Sequence, residues 1–191
     1  MKKIHDFDEV FDGQKMFRII LEAISNPGRM LSIEELAKKM YGENRAFLAI
    51  AMTLLDNEVG FHAFENEELA KNISLLTLSK EVALEKADFV FVENERELEQ
   101  AFSEAKIGTL VDPHKSATLI IRVQNEKNNE ITICGAGIDK HLTIRVSDMV
   151  VKAMRLRDMQ NYEYPQGIDM MFVTEDMQLF CTPRLVFREE K

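Results

Sequence analysis

Two hydrophobic periods alternate along the 191-residue sequence. A chain that keeps switching between them buries both kinds of element only as a sheet faced by helices. Met16, Phe17, Ile20 and Ile24 recur at helical spacing and stop at Asn26-Pro27-Gly28, which predicts a helix over 13–25 with one apolar face turned inward. Ser32 and Glu35 read as a capping box opening a short helix that runs to Tyr41-Gly42. The stretch 44–56 is apolar around most of its circumference, which predicts a central helix. A weaker helical stretch spans 66–87.

Strand character begins at Asp88-Phe89-Val90-Phe91-Val92, a short apolar run that predicts a buried strand, and Asn94 with Glu97 then caps a helix over 98–105. The β-branched run at 117–123 is followed by Asn128-Asn129 and a second run at 130–134, which predicts a hairpin. After Gly135-Ala136-Gly137 and a short extended piece at 142–146, Ser147 is expected to cap a helix over 148–159. Tyr164-Pro165-Gln166-Gly167 breaks the chain, and 168–173 with 178–181 predict a hairpin around Glu175-Asp176. The pattern predicts one domain over 1–191, an α/β/α sandwich of three layers built on a mixed sheet.

Composition narrows the function classes. The hydrophobic share is 46% and the charged share 30%, and a compact chain of this mass buries about 70% of its unfolded surface, enough for a core without staples. Two cysteines, Cys134 and Cys181, give one bridge at most, so reduced thiols and a cytoplasmic setting are the expectation. No stretch approaches the ~18 uncharged residues of a membrane span, and no apolar signal core follows Lys2-Lys3, so a soluble, untargeted protein is expected. The formal net charge is −9, with 13 basic and 21 acidic residues in 1–107, and no basic run is present. Such a chain is a poor nucleic-acid ligand, because that affinity comes from cations replacing counterions on phosphates. Arg122, Arg145, Arg155, Arg157 and Arg184 make the second half the better host for an anionic small molecule. Eleven methionines fill the core or an interface, and the apolar surface they imply predicts a homodimer.

Familiar catalytic devices do not appear. Gly135-Ala136-Gly137 places Lys140 where a dinucleotide fingerprint needs its third glycine, and no phosphate loop, H-E-x-x-H, paired C-x-x-C or G-x-S-x-G elbow occurs. His5, His62, His114 and His141 are scattered, so no metal set is predicted. Arg157 is the most informative residue: it falls inside the apolar arc of the 148–159 helix and must face the protein. A buried guanidinium there calls for an anion, either a carboxylate such as Asp169 or a bound ligand. Gly135 and Gly137 bracket a tight connection whose amides turn the chain or face an anion. Tyr164 and Asp169 frame a rigid entry into a strand, and Arg184 stands at a strand exit.

The order and spacing of Phe7, Phe11, Phe17-Arg18, Asn26-Pro27-Gly28, Leu54-Leu55-Asp56-Asn57-Glu58, Gly108-Thr109, Gly135-Ala136-Gly137-Ile138, Tyr164-Pro165-Gln166-Gly167-Ile168-Asp169 and Pro183-Arg184 resemble the H-subunit family of the bacterial carbon–phosphorus lyase core complex, over nearly the whole chain. The chain departs from that pattern at Pro113-His114-Lys115-Ser116, where the family has an acid and a glycine, and at Leu185-Val186, where it has threonines. The resemblance implies a topology similar to pyridoxal-phosphate-dependent transferases without the cofactor, and a homodimer joined to G, I and J subunits. It implies a non-catalytic or assisting part in forming ribose 1-phosphonate 5-triphosphate from ATP and phosphonate. The residues read above, Arg157, Asp169, Arg184, Gly135, Gly137 and Tyr164, are the candidates for contacts to a ligand or a partner. The alternative is a stand-alone transferase holding an anionic substrate in an arginine-lined cleft.

Overall fold

The apolar runs pair into a large sheet and a small one in the computed structural model, which describes residues 5–189. In chain order the elements are α1 (Phe11–Ser25), β1 (Leu31–Ser32), α2 (Glu34–Ala37), α3 (Arg45–Leu54), β2 (Gly60–His62), α4 (Glu67–Thr77), β3 (Lys80–Glu81), β4 (Phe89–Val92) and α5 (Glu95–Glu104). They continue with β5 (Thr118–Val123), β6 (Asn129–Gly135), β7 (Leu142–Val146), α6 (Asp148–Asp158), β8 (Asp169–Thr174), β9 (Gln178–Thr182) and β10 (Val186–Arg188). The large sheet has the order β1-β9-β8-β5-β4-β2-β3. Strands β3, β2, β4, β5 and β8 run parallel, and β9 lies antiparallel to both of its neighbours. The small sheet, β10-β6-β7, is antiparallel throughout.

Alternation along the central strands sorts the core into two layers. Val90, Val92, Leu119, Ile121, Met170 and Phe172 point to the side covered by α5, α6 and the small sheet. Phe91, Ile120, Met171, Val173 and Leu179 point to the side covered by α1, α3 and α4. The expected mixed sheet between helical layers is therefore present.

Several local expectations fail for identifiable reasons. The strand at 117–123 does not turn back into 130–134: β5 is buried on both faces and has β4 and β8 on its two edges, so no edge is free for β6. Strand β6 buries Ile131 and Ile133 and exposes Glu130, a one-faced pattern that suits the small sheet, and its hairpin partner is the extended piece β7. Ser32 Oγ accepts from Glu34 N at 3.4 Å as expected, but Ser32 is paired with Gln178 in β1, Ile33 takes the N-cap place and α2 lasts four residues. The helical stretch 66–87 stops at Leu78, which adopts φ 62°, and the chain continues as the parallel strand β3. Ser147 precedes α6 without capping it. Asn94 does cap α5, accepting from Glu97 N at 3.0 Å, while Glu97 accepts from Glu93 N at 2.7 Å. The hairpin β8–β9 forms as expected.

Candidate functional site

Four of the six residues singled out in the sequence meet around residues 182–186, the backbone linking β9 to β10. Arg157, in the last turn of α6, reaches it from inside. Its Nη1 donates to Thr182 O at 2.7 Å and Pro183 O at 3.1 Å, and its Nη2 donates to Val186 O and approaches Met154 Sδ at 3.3 Å. Burial pulls the guanidinium pKa below its ordinary value. The helical phase read from the sequence is correct, since only 1% of the residue is exposed. The anion expected beside it is a correction: main-chain carbonyls take that place, and no ion pair to Arg157 forms among the described residues. The partial negative charge at the C-terminal end of α6 adds to those carbonyls.

Asp169 pairs with Arg184 instead. Oδ1 accepts from Arg184 N at 2.7 Å, both carboxylate oxygens face Nε, and Nη2 bonds Oδ2 at 2.5 Å. Arg184 Nη1 continues to Pro113 O at 2.5 Å, tying the strand exit to the loop before β5. Gly135, at φ 125°, lies under the same segment: a Cβ there would stand 2.1 Å from Leu185 O. Gly137, at φ 82°, is pressed against the end of α1, where a Cβ would meet Ser25 O and Pro27 Cδ at 2.9 Å. Both glycines let backbone cross backbone. Tyr164 stands apart and exposed, before Pro165 and the Gly167 turn that donates to Ile107 O at 3.0 Å. The structure thus joins Arg157, Asp169, Arg184 and Gly135, abuts Gly137 to the Asn26-Pro27-Gly28 turn, and leaves Tyr164 at the rim. Arg157 and Arg184 do not line an open cleft, because both guanidinium groups are bonded internally.

That corner lies at the amino ends of the parallel strands, whereas open α/β sheets bind ligands beyond the carboxyl ends, where the strand order reverses. Here the reversal falls between β2 and β4, and the carboxyl edge carries a network that sequence reasoning missed. Glu93, just past β4, accepts from Asn66 Nδ2 at 2.6 Å and faces Arg122 Nη2 at 2.9 Å. Arg122 also donates to Asn44 Oδ1 at 2.5 Å and lies over the Phe47 ring at 4.8 Å, and its Nε is buried without a hydrogen bond. Asn44, Asn66 and Asn94 stand at the starts of α3, α4 and α5, so three helix N-termini open on this edge. The crevices there are small, about 50 Å³ beside Glu43, Arg122 and Glu175 and about 70 Å³ beside Glu65, Arg96 and Glu97. Carboxylates outnumber guanidinium groups along it, so the edge is ill matched to a polyphosphate. The one sequence signal for it was Arg122, a cation near the end of an otherwise apolar strand.

A larger cavity, about 450 Å³, lies instead between β6, α6 and β10, with Arg155, Arg188, Glu130 and Glu189 among the residues that line it. Among the described residues no group of three metal-ligating side chains occurs, and no helix is long and apolar enough to cross a membrane.

With this geometry in hand, two comparisons are informative. A family model described as the bacterial phosphonate metabolism protein (PhnH) matches residues 5–187. The chain is also similar to the alpha-D-ribose 1-methylphosphonate 5-triphosphate synthase subunit PhnH of Rhizobium meliloti (strain 1021), with 24% identity over 182 residues that cover 93% of this chain and 90% of the relative.

Proposed function

The chain belongs to the PhnH family of bacterial phosphonate metabolism proteins, and from that premise we propose that it acts as an assisting subunit of the assembly that makes ribose 1-phosphonate 5-triphosphate from ATP and a phosphonate. The observation that carries this is the family match over 5–187, joined by a relative named as a subunit of that synthase along nearly its whole length. The local chemistry agrees. Arg157 is engaged by carbonyls, Asp169 and Arg184 by each other, and the carboxyl edge of the sheet is acidic. A stand-alone transferase for an anionic substrate would need those cations free.

The partners in this reading are a second copy of the chain and the G, I and J subunits, in the cytoplasm. A mixed sheet between helical layers supports the similarity to pyridoxal-phosphate-dependent transferases. The cofactor itself does not fit the edge where such a fold would hold it: the side chains networked there are Asn44, Asn66, Glu93 and Arg122, and none offers an amine for an aldimine.

The test is genetic and biochemical together. In a strain lacking this chain, growth on methylphosphonate as sole phosphorus source should fail and return on complementation. Purified alone with ATP and methylphosphonate, the chain should yield no ribose-phosphonate product by phosphorus NMR, and the product should appear when the other subunits are added. Turnover by the isolated chain would overturn the assisting role.

A further inference from the structure

Two guanidinium groups beside the small sheet lack the internal bonds that occupy Arg157 and Arg184. Strand β10 alternates: Val186 is buried, Phe187 is 47% exposed, and Arg188 turns back toward α6 with its side chain only 19% exposed. There its Nε is buried without a hydrogen bond, and Asp158 Oδ2 stands 3.5 Å from it. Arg155 follows Val151 by four residues and precedes Asp158 by three, so the three share one face of α6. The Arg155 guanidinium has no hydrogen bond or ion pair among the described residues. Both arginines line the cavity of about 450 Å³, and so do Ile131 and Val151, which are 7% and 9% exposed. That volume falls in the range of small-molecule sites, about 300–1,000 Å³. The carboxylates at the same cavity are engaged elsewhere: Glu189 Oε1 lies 2.6 Å from His141 Nδ1, and Glu130 Oε2 lies 3.6 Å from Arg145 Nε on β7.

We propose that this cavity binds a small organic phosphonate, with its tetrahedral head between Arg155 and Arg188 and its substituent against Ile131 and Val151. The inference rests on the phosphonate reading above and adds which surface of this chain meets the substrate. Charge decides the class of ligand. Two guanidinium groups neutralise one dianionic head, and their planar forks of donors match its oxygens. A nucleoside triphosphate carries roughly twice that charge, and Glu130 and Glu189 at the same cavity would repel the surplus. Inorganic phosphate would satisfy the arginines but leave the two apolar side chains against water, whereas a carbon substituent covers them. The cavity is larger than methylphosphonate, so longer substituents and bridging waters also have room.

The experiment titrates the full chain with methylphosphonate at low ionic strength, followed by the ligand's phosphorus resonance and by the melting temperature of the protein. Saturable binding at one site per chain is expected, with inorganic phosphate weaker by roughly 3–5-fold, the contribution of one buried methyl. Arg155→Gln should weaken methylphosphonate roughly 10–100-fold, the loss of a charged hydrogen-bond donor, and should abolish the ligand's effect on melting. Arg188→Gln should do the same. If that variant fails to fold, Arg155→Gln decides alone, since the Arg155 guanidinium is bonded to nothing among the described residues. No binding by the parent, equal binding by Arg155→Gln, or phosphate binding as tightly as methylphosphonate overturns the inference. The growth and product assays above are independent of this titration: if they succeed while the isolated chain binds no methylphosphonate, the site falls and the assisting role stands.

Discussion

Replacing Arg157 with Met keeps the length of the side chain and removes the fork that holds residues 182–186. Thr182 O and Val186 O lose the donors that reach them from the buried guanidinium, whereas Pro183 O retains its bond from Val186 N at 2.9 Å. A buried acceptor left without a donor costs about 1–3 kcal/mol. Thr182 O keeps its place in the β8–β9 ladder opposite Met170, so Val186 O is the acceptor left bare and the net destabilisation expected is about 1–3 kcal/mol. At roughly 2–4 °C per kcal/mol for a chain of this size, the melting temperature should fall by about 2–12 °C. The pH dependence separates carbonyl partners from a carboxylate. Burial lowers the guanidinium pKa, but an arginine keeps its proton in proteins, and carbonyls do not titrate. The parent-to-variant gap measured by urea unfolding should therefore stay constant from pH 4 to pH 9. A variant that melts with the parent would refute the strut, and a gap that closes in acid would restore a carboxylate to its place.

Two further outcomes test other parts of the molecule. Cys181 is buried, which pushes its thiol well above the ordinary range, while Cys134 is half-buried; an aromatic disulfide reagent should label one thiol in the native protein and two in denaturant, and simultaneous labelling of both would contradict the core described here. For the Asp12 carboxylate, burial acts upward, but hydrogen bonds from Asp8 N at 2.8 Å and Lys39 Nζ at 2.7 Å, with the charges of Lys39 and Lys15, bring it below its usual value. An acid depressed in the folded state contributes stability above its unfolded pKa of ~3.9 and loses it as pH falls through the folded value. Asp12→Asn should thus be less stable than the parent at pH 7, with the difference shrinking below about pH 4, and a difference independent of acid would contradict the pairing with Lys39.

Legibility in the sequence followed how local each determinant was. The helix phase of α6 rests on contacts within eleven residues, and it put Arg157 inside correctly. The cap of α5 and the hairpin β8–β9 are equally local and were readable for the same reason. What failed depended on which strand edge was already occupied. Nothing within 117–134 says that β4 and β8, about thirty and fifty residues away along the chain, take both edges of β5, so the turn signal at Asn128-Asn129 was assigned to the wrong pair. Ser32 does accept from Glu34 N, but it is not the N-cap residue, since its extended backbone is paired with Gln178 in a strand far along the chain.

The candidate residues show the same limit in chemical form. Composition and helical phase establish that Arg157 is buried and needs acceptors, but a side chain's partner is a property of the fold. The acceptors were ascribed to a carboxylate because a charge demands compensation, and three carbonyls gathered at the end of α6 meet that demand equally well. Once those carbonyls hold Arg157, Asp169 is free to fix Arg184, and Arg184 in turn anchors the loop at Pro113. Arg157 and Arg184 are thus part of a chain of bonds joining α6, the β9–β10 connection, the start of β8 and the loop before β5. That chain makes the amino edge of the sheet stiff.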